Sequence, residues 1–426
     1  MIVSAFMSDN DTPENAKRPE PSLWKNRNFR LVFGATAISN LGDGIAMVAY
    51  PWLATLISKD PLDIAFVAFA SRLPWFLLSL PAGVITDRVA HKKLMVGADV
   101  FRALLTLCVV ALVFWMPSSG AIMLLAAAAF MLGAAEVLRD NTAQTILPQL
   151  VEERDLPKAN GTMWSAEQII GEFVGPPLAG FLIAIALPLP FLLDAVSFAV
   201  AAGLVWRLRP RPIPAARQAP ALEAMKEGMV WVWRHTLILR LAMVTGFLNF
   251  AGTVALTILV LFAQDILGVG ALGYGLIMSF GAVGGGLGGL LAPRIVARIG
   301  EGWALRIAVV LSGVEMLMIG AASHPAWVGF AFFLATFGSL LWNVVAVPLR
   351  QRETPPELLG RVNSVYRFIS WGVIPLGAIL AGVMVKGFDS FTSYETALRA
   401  PYFVLGALYL LVIPYVFYKI NPESKV

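Results

Sequence analysis

The sequence predicts an all-α membrane protein with twelve transmembrane helices in two pseudo-symmetric bundles of six. Of its 426 residues, 58% are hydrophobic and 14% are charged, whereas soluble domains carry about 25% charged residues. Apolar stretches of about 20 residues, the length that crosses a bilayer, recur twelve times. Short motifs of the first half also return in the second half. This pattern makes the lipid bilayer the main partner and excludes a secreted domain, a coiled coil and a nucleic-acid-binding module.

The predicted spans follow one another with short polar connections. They lie at 29–53, 62–86, 94–115, 119–138, 162–186, 188–207, 238–263, 271–296, 303–322, 326–347, 363–386 and 399–419. The spans form bundles at 29–207 and 238–420, with tails at 1–28 and 421–426 and a linker at 208–237.

The positive charges predict the orientation of the spans. Most of the 32 lysines and arginines fall on the side of the two tails, and only Lys59, Lys386 and Arg399 fall on the opposite side. Lysine and arginine concentrate in cytoplasmic loops. We therefore expect both termini in the cytoplasm and the chain in the bacterial cytoplasmic (inner) membrane. The polar start of the chain carries no signal-peptide pattern, so the first span should remain in place.

The linker combines a proline-rich stretch with a predicted amphipathic helix. Residues 209–214 read Arg-Pro-Arg-Pro-Ile-Pro, and Leu222, Met225, Met229 and Val232 then fall near one helix face. On the rest of that helix, Lys226 and Arg234 can face water and lipid headgroups. A plain flexible linker is the alternative, because the prolines favour an extended chain.

Three short segments of the first half have similar counterparts in the second half, each separated by nearly the same number of residues. This repetition indicates an internal duplication of six spans. Two similar halves around a central cavity are the architecture of many secondary transporters. The echoed segments are 83–88 and 289–294, then 160–161 and 363–364, then 175–180 and 377–382.

Two motifs resemble the major facilitator superfamily. The segment Gly83-x-x-x-Asp87-Arg88-x-x-x-Lys92-Lys93 resembles its signature loop, and the resemblance implies that Asp87 meets the start of span eleven and latches one conformation. Span five resembles the antiporter motif, with Gly171, Gly175, Pro176 and Gly180 in place and Ala179 where the motif has a glycine. Local matches at 40–44, 97–102 and 194–198 resemble the branch of macrolide-efflux proteins, enterobactin exporters and Tap-type drug pumps.

The charges within the spans are the candidate proton-coupling site, since a charge in the bilayer is costly unless it is paired or hydrated. Asp43 lies about 20 Å into span one at 1.5 Å per residue. Arg72 falls near the middle of span two, so the two side chains are predicted to pair. Glu172 in span five is the second proton-carrying candidate. A permanent structural ion pair remains the alternative for Asp43 and Arg72.

Further charges near the cytoplasmic ends predict a conformational gate. Glu136 and Arg139 are spaced to pair on one helix face, and Arg102 with Asp99 suggests a similar pair. Gly83, Asp87 and Arg88 of the loop complete the predicted gate. Two further acids are assigned neither to the gate nor to the proton-coupling site. Asp194 is expected to be mostly solvated, and Glu315 has no evident partner.

The second half is predicted to supply mainly apolar and aromatic walls to the cavity, since Glu315 is its only acid within a predicted span. Such a cavity suits a bulky amphiphile better than a sugar or a small ion. The candidate substrate-cavity residues are Asn40, Phe247, Asn249, Phe250, Trp342, Asn343, Tyr366 and Trp371.

Together these features predict a proton-coupled exporter of an amphiphilic small molecule, such as a drug or a siderophore, that works by alternating access. A lysophospholipid or other lipid carrier, an uptake symporter and a non-transporting membrane sensor or scaffold remain alternatives. An enzyme is not expected, because the metalloprotease, serine-hydrolase and ATP-binding motifs are missing. One cysteine and three histidines predict no disulfide, metal or cofactor. We expect a monomer with substrate, protons and lipid as partners, and no nucleic acid.

Overall fold

The computed structural model of the protein describes residues 23–114, 120–211 and 221–420. It contains twelve helices that are long and apolar enough to cross a membrane, which confirms the predicted fold. We number them α1–α12 and name the additional helix Ala221–Arg234 the linker helix. The numbered helices are α1 Arg27–Ile57, α2 Pro61–Arg88, α3 His91–Phe114, α4 Ala121–Leu150, α5 Leu156–Ile185, α6 Pro188–Trp206, α7 Thr236–Ile266, α8 Ala271–Ile299, α9 Glu301–Ala321, α10 Pro325–Glu353, α11 Leu359–Asp389 and α12 Tyr394–Lys419.

Several helices extend beyond their predicted apolar stretches. Helix α4 continues past residue 138 to Leu150, and α10 continues past residue 347 to Glu353. The added turns carry polar residues, which complete their backbone hydrogen bonds within the helix as readily outside the hydrocarbon as inside it. Hydropathy marks where a helix meets lipid and does not mark where it ends.

Short polar residues fix where several helices begin. The Asn26 side chain accepts hydrogen bonds from the amides of Asn28 and Phe29 at the start of α1. Asp60 accepts from the Leu62 amide at the start of α2, and Ser393 accepts from the Thr396 amide at the start of α12. Each cap satisfies amides that have no partner within the helix.

The helices of each half pack on one another, and two pairs of helices join the halves. In the first half α1 packs on α5 and α6, α2 on α4, and α3 on α4 and α6. In the second half α10 packs on α8 and α9, α9 also on α12, and α7 on α11. Between the halves, α2 packs on α11 and α5 packs on α8. The internal repeat relates these two contacts to each other. Helix α2 of the first half corresponds to α8 of the second, and α5 corresponds to α11.

Echoed glycines lie at these two crossings between the halves. A Cβ atom added at Gly180 of α5 would lie 2.7 Å from the Cα of Leu272 in α8. A Cβ added at Gly382 of α11 would lie 2.6 Å from the carbonyl oxygen of Pro61 in α2. Both distances are shorter than a real Cβ contact, so each backbone approach requires a residue without a side chain.

The two halves meet on the side of the molecule opposite the start of α1 and the end of α12. We call this the distal side, and the side where α1 begins and α12 ends the terminal side. On the distal side, Lys386 Nζ of α11 lies 2.6 Å from Asp60 Oδ2 before α2. Lys59 Nζ donates to Gln264 Oε1 at 2.9 Å, and Gln264 donates to Thr55 Oγ1 at 2.8 Å.

The ion pair on the distal side shifts the pKa of Asp60. Partial burial raises the pKa of Asp60, but the hydrogen bond from Lys386, the bond from the Leu62 amide and the charge of Lys386 outweigh it. The net effect lowers the pKa of Asp60 below its ordinary value of 3.8. Asp60 is therefore ionised, and the pair intact, throughout the physiological pH range.

Contacts between the halves continue from the distal side to the middle of the bundle. The rings of Phe76 in α2 and Phe368 in α11 stack with centroids 5.4 Å apart. Ser279 Oγ of α8 donates to the Phe173 carbonyl oxygen of α5 at 3.3 Å. The ion pair, the hydrogen bonds and the ring contact named above all lie between the distal side and the middle of the bundle. The conformation is thus closed on the distal side.

Candidate proton-coupling site

Charged side chains of four helices gather inside the first half. We call this set the ionic cluster, and helices α1, α3, α4 and α6 supply it. The members with the most completely buried side chains are Asp99, Arg139, Arg102 and Asp194, which are 0%, 1%, 3% and 2% exposed. Because buried charges are stable only when paired, the cluster is a structural unit. Its members are Asp43, Asp99, Arg102, Glu136, Arg139, Asp140 and Asp194.

Asp43 of α1 forms an ion pair with Arg102 of α3. The Arg102 side chain is 3% exposed and that of Asp43 is 30% exposed, so the pair has one buried and one accessible member. Arg102 also donates from Nη1 to Ser39 Oγ at 3.3 Å. Its guanidinium carbon lies 3.8 Å from the centre of the Phe198 ring, in a cation–π contact. Asp43 is therefore the accessible member of the pair, and Arg102 is held in place by its other contacts.

The predicted pair of Asp43 and Arg72 is wrong. Helix α1 makes its main contacts with α5 and α6, whereas α2 packs on α4 and α11. Asp43 is consequently directed to Arg102, which the sequence assigned to the gate. Arg72 is exposed, and its electrostatic neighbour in the cluster is Glu136.

The predicted pairing of Glu136 with Arg139 is also wrong. Arg139 Nε lies 3.5 Å from Asp99 Oδ1 in α3, and its Nη1 lies 3.4 Å from Asp140 Oδ1. Its Nη2 donates to the Ala35 carbonyl oxygen of α1 at 3.4 Å. Residues three apart on a helix share a face, but here contacts with neighbouring helices determine where Arg139 points. Arg139 thereby links α1, α3 and α4.

Asp194 of α6 is buried, contrary to its expected solvation. The side chain lies against α1 at Gly42, where an added Cβ would be 3.4 Å from Asp194 Cγ. Ser197, one turn later, contacts the same glycine. Asp194 thus joins the ionic cluster, because α6 packs on both α1 and α3.

Several polar atoms around the cluster have no hydrogen-bond partner among the described residues. Buried polar groups are usually paired, so such a concentration marks a site that can form additional hydrogen bonds. The atoms are both carboxylate oxygens of Asp99, Oδ1 of Asp194, Nδ2 of Asn40, Nε of Arg102, Nε of Arg139, Oη of Tyr50 and Oγ1 of Thr106.

Glu172 lies outside the ionic cluster. Its Oε1 accepts a hydrogen bond from Gln168 Nε2 at 3.2 Å within α5. Glu167, one and a half turns earlier, is the α5 acid that has Asp43 and Asp140 as electrostatic neighbours. The sequence reasoning missed Glu167 and Asp140. Glu167 and Glu172 lie in the same segment of α5, Glu167–Val174, and Glu172 is itself an electrostatic neighbour of Glu167.

The antiporter motif lies in a widened part of α5. Residues Glu167–Val174 form a π-helical segment, and the amide of Gly175 donates to the carbonyl of Ile170, five residues earlier. Pro176 and the following proline cannot donate, which interrupts the regular hydrogen-bond ladder at this point. Such π segments are frequent at functional sites.

The glycines of this motif hold α5 against α1. A Cβ added at Gly171 would lie 3.2 Å from the Asn40 carbonyl oxygen, and one added at Gly175 would lie 2.6 Å from the Gly44 Cα. Pro176 meets α8 instead, since a Cβ added at Gly275 would contact its carbonyl oxygen. The motif therefore contacts both halves of the protein.

The signature loop gives little geometric information. Gly83 and Asp87 lie within α2, but the surroundings of Gly83 and the side chain of Asp87 are outside the described part of the structure. Arg88 is exposed at the end of α2. The predicted latch between Asp87 and the start of α11 stays a prediction.

The candidate cavity residues divide into packed and accessible groups. Trp342 is 2% exposed and donates from Nε1 to Thr245 Oγ1 at 3.0 Å, while Tyr366 is 5% exposed and bonds the same oxygen at 2.6 Å. In this conformation these two rings are packed between α7, α10 and α11 and do not line an open cavity. Asn40 is 9% exposed, and its backbone lies at the α1–α5 crossing. Asn343 is exposed.

The remaining cavity candidates retain some accessible surface. Asn249 donates to the Ser370 carbonyl oxygen at 2.8 Å and is partly buried. Phe247 and Phe250 are also partly buried, and Phe247 packs edge-on against Tyr409 with centroids 4.9 Å apart. Trp371 is 45% exposed, and its ring lies near the Arg367 guanidinium of the same helix.

Glu315 is the buried acid of the second half. It is 5% exposed on α9, and its electrostatic neighbours are Tyr402 and Tyr409 of α12. The ionic cluster has no counterpart among the described residues of the second half, where Glu315 is the acid buried within a span.

Curated proteins of similar sequence are transporters. The chain is 27% identical over 394 residues to the multidrug efflux pump Tap of Mycolicibacterium fortuitum, covering 89% of this chain and 94% of that protein. It is also 27% identical over 372 residues to an uncharacterized MFS-type transporter of Sinorhizobium fredii, covering 84% and 88% of the two chains.

Solved transporters share the fold at low sequence identity. A variant of the nucleoside transporter NupG aligns with a TM-score of 0.76 and 12% identity, covering 93% of this chain and 100% of its own. A D-xylose–proton symporter aligns with a TM-score of 0.71 and 14% identity, covering 93% and 98%. A family model described as transmembrane secretion effector matches residues 22–416. The chain therefore belongs to this family of major facilitator transporters and is not an enzyme.

Proposed function

We propose that this transporter exports an amphiphilic small molecule in exchange for protons that bind at Asp43. The observation that carries the proposal is the pairing of an accessible carboxylate, Asp43, with an almost fully buried cation, Arg102. Protonation of Asp43 removes the negative charge that balances Arg102. The guanidinium then has to find compensation from the other acids of the ionic cluster, which costs free energy unless the helices shift.

The contacts of α1 give this change a route to the interface between the halves. Gly44, the neighbour of Asp43, lies at the crossing of α1 with Gly171 and Gly175 of α5. Helix α5 in turn meets α8 at Gly180. A shift of α1 that follows protonation is therefore passed to α5, whose crossing with α8 closes the distal side again once the substrate has left.

Export is the direction that the relatives favour. The multidrug efflux pump Tap matches this chain over 89% of its length, whereas the D-xylose–proton symporter shares the fold at 14% identity. In the orientation predicted by the lysines and arginines, the conformation closed on the distal side takes substrate from the cytoplasm. Partly exposed aromatic residues such as Phe250 and Trp371 suit an amphiphilic molecule better than a sugar.

The driving force required is available from a proton gradient. One charge that crosses the membrane contributes about 2.3 kcal/mol per 100 mV. In the proposed cycle a proton binds Asp43 from the distal side and promotes substrate release there. Its release to the terminal side restores the pair with Arg102, and the site can bind substrate again.

Transport by purified protein in proteoliposomes tests the proposal. A panel of fluorescent amphiphiles is loaded, and efflux is followed with and without an imposed pH gradient. Asp43→Asn should abolish pH-driven transport but retain counterflow, in which labelled and unlabelled substrate exchange without a gradient. Glu152→Gln, which removes an acid that is 55% exposed outside the spans, is the matched control and should behave as wild type.

Three outcomes contradict parts of the proposal in different ways. If Asp43→Asn keeps pH-driven efflux, the proton assignment is wrong. If the wild type accumulates substrates only in the opposite direction, the protein is an uptake symporter. If no compound of the panel, lysophospholipids included, is transported by the wild type, a sensor or scaffold role is favoured.

A further inference from the structure

The linker helix is attached to the second half along one face. Glu227 forms an ion pair with Arg361 at the start of α11. A Cβ added at Gly228 would lie 2.8 Å from the Arg361 carbonyl oxygen, so the two backbones approach closely. Val232 is 0% exposed, and Trp231 stacks on His235 with ring centroids 4.7 Å apart. These contacts fix the orientation of the helix.

The opposite face of the linker helix is apolar and uncovered. Met229, Val230 and Trp233 are 40%, 45% and 64% exposed. Val230 and Trp233 follow Met229 by one and four residues, so all three lie on one side of the helix. Lys226 lies on this same side, two turns before Trp233, and Arg234 lies at its edge. Neither has an acidic partner among the described residues. Exposed apolar groups between basic side chains are typical of helices that lie in a membrane interface.

The linker helix lies directly before a membrane-spanning helix. The helix ends at Arg234, and the membrane-spanning helix α7 begins at Thr236, with only His235 between them. His235 is anchored in turn, since its Nε2 lies 3.3 Å from Glu353 Oε2. An open groove of about 580 Å³ runs beside the helix, and Lys226 and Arg234 lie among its lining residues.

We propose that the linker helix is an interfacial helix that binds the headgroups of anionic phospholipids in the leaflet on the terminal side. Trp233, Met229 and Val230 enter the boundary between headgroups and acyl chains, where tryptophan is enriched. Lys226 and Arg234 bind the lipid phosphates, and this attraction distinguishes anionic from zwitterionic lipid. The ion pair of Glu227 with Arg361 then connects the lipid composition of the leaflet to α11. This proposal is independent of the transported substrate.

A fluorophore on the linker helix tests lipid binding directly. The exposed Cys108 is replaced by serine, and Trp233→Cys is labelled with an environment-sensitive dye in the full-length protein. The protein is reconstituted into nanodiscs of phosphatidylcholine containing a fixed fraction of phosphatidylglycerol, and brominated forms of either lipid serve as quenchers. We expect blue-shifted emission and stronger quenching by brominated phosphatidylglycerol than by brominated phosphatidylcholine.

Charge variants separate headgroup recognition from simple insertion. Two basic residues at about 1 kcal/mol each correspond to an enrichment of anionic lipid of up to about 30-fold. Lys226→Gln with Arg234→Gln should reduce the preference to about onefold without removing the blue shift. Lys158→Gln, which removes an exposed lysine at the start of α5, is the matched control and should leave the preference unchanged.

Two results overturn the proposal. Water-like emission without quenching by either lipid shows that the helix does not lie in the membrane interface. Equal quenching by both lipids in the parent protein, or an equal loss of preference in the Lys158→Gln control, shows that these basic residues do not select anionic headgroups.

Discussion

Gly180→Ala should shift the protein away from the conformation that is closed on the distal side. A Cβ at this position would lie 2.7 Å from Leu272 Cα and 2.8 Å from the Ala271 carbonyl carbon. Both are backbone atoms of α8, so rotation of a side chain cannot relieve the contact. Helices α5 and α8 must move apart by a fraction of an ångström, and this separation is the first step of opening on the distal side.

The size of the shift follows from the cost of overpacking. Adding a methyl group to a closely packed contact costs about 1–3 kcal/mol, and the contact exists only while the distal side is closed. A cost of about 2 kcal/mol changes the ratio of closed to open molecules about 30-fold. Alanine also has a helix propensity about 1 kcal/mol better than that of glycine. That gain is present in both conformations and does not affect their ratio.

Distances between spin labels on the distal side report this ratio. With Cys108 replaced by serine, labels at Leu56→Cys and Phe391→Cys occupy exposed positions in the two halves. Gly180→Ala should populate a longer distance that is minor in the parent protein. Gly286→Ala is the matched control, because a Cβ there meets nothing within 4 Å. If both glycine variants give the parent distance distribution, the α5–α8 contact does not hold the distal side closed.

Two further predictions concern ion pairs. Asp99→Asn should lower the free energy of unfolding in detergent by about 3–5 kcal/mol. The reason is that Arg139, which is 1% exposed, loses the buried one of its two acidic partners. Asp140→Asn, at a site 34% exposed, should cost less, and equal losses would contradict the pairing. Lys386→Gln should weaken distal closure only slightly, because water screens the exposed pair with Asp60. Because the pKa of Asp60 is lowered in the closed conformation, the contribution of this ion pair to closure is complete above pH 3.8 and is lost only as the pH falls further. A Lys386-dependent change in the spin-label distances between about pH 5 and 8 would contradict this assignment.

The number of spans could be predicted because the bilayer imposes it. A helix that crosses lipid needs a long apolar stretch whatever its neighbours are, and the described residues contain all twelve. The extensions of α4 and α10 could not be predicted in this way. Their final turns are polar, and only backbone geometry shows that they continue the helix.

Most cluster residues could be named from sequence, but their partners could not. The cost of a charge within a span singled out Asp43 and Arg102, whereas Arg139 was named from its spacing to Glu136 and Asp140 was missed. Pairing depends on which helices become neighbours, and the order of spans along the chain does not give this. The motif 194–198 did contain a usable signal: Asp194 and Phe198 are four residues apart and therefore share a helix face. Because that ring lies over the Arg102 guanidinium, the face belongs to the cluster.

Adjacent positions on α1 explain how a small chemical change can reach a large interface. Asp43 pairs with Arg102, and Gly44 lies against Gly171 of α5. Consecutive residues of a helix rise by 1.5 Å and move as one body, so displacement at one contact is displacement at the other. Helix α5 carries the movement to α8 through Gly180. No chain of side-chain hydrogen bonds is needed across the protein, because helices α1, α5 and α8 and their two glycine crossings connect the ionic cluster to the distal contacts.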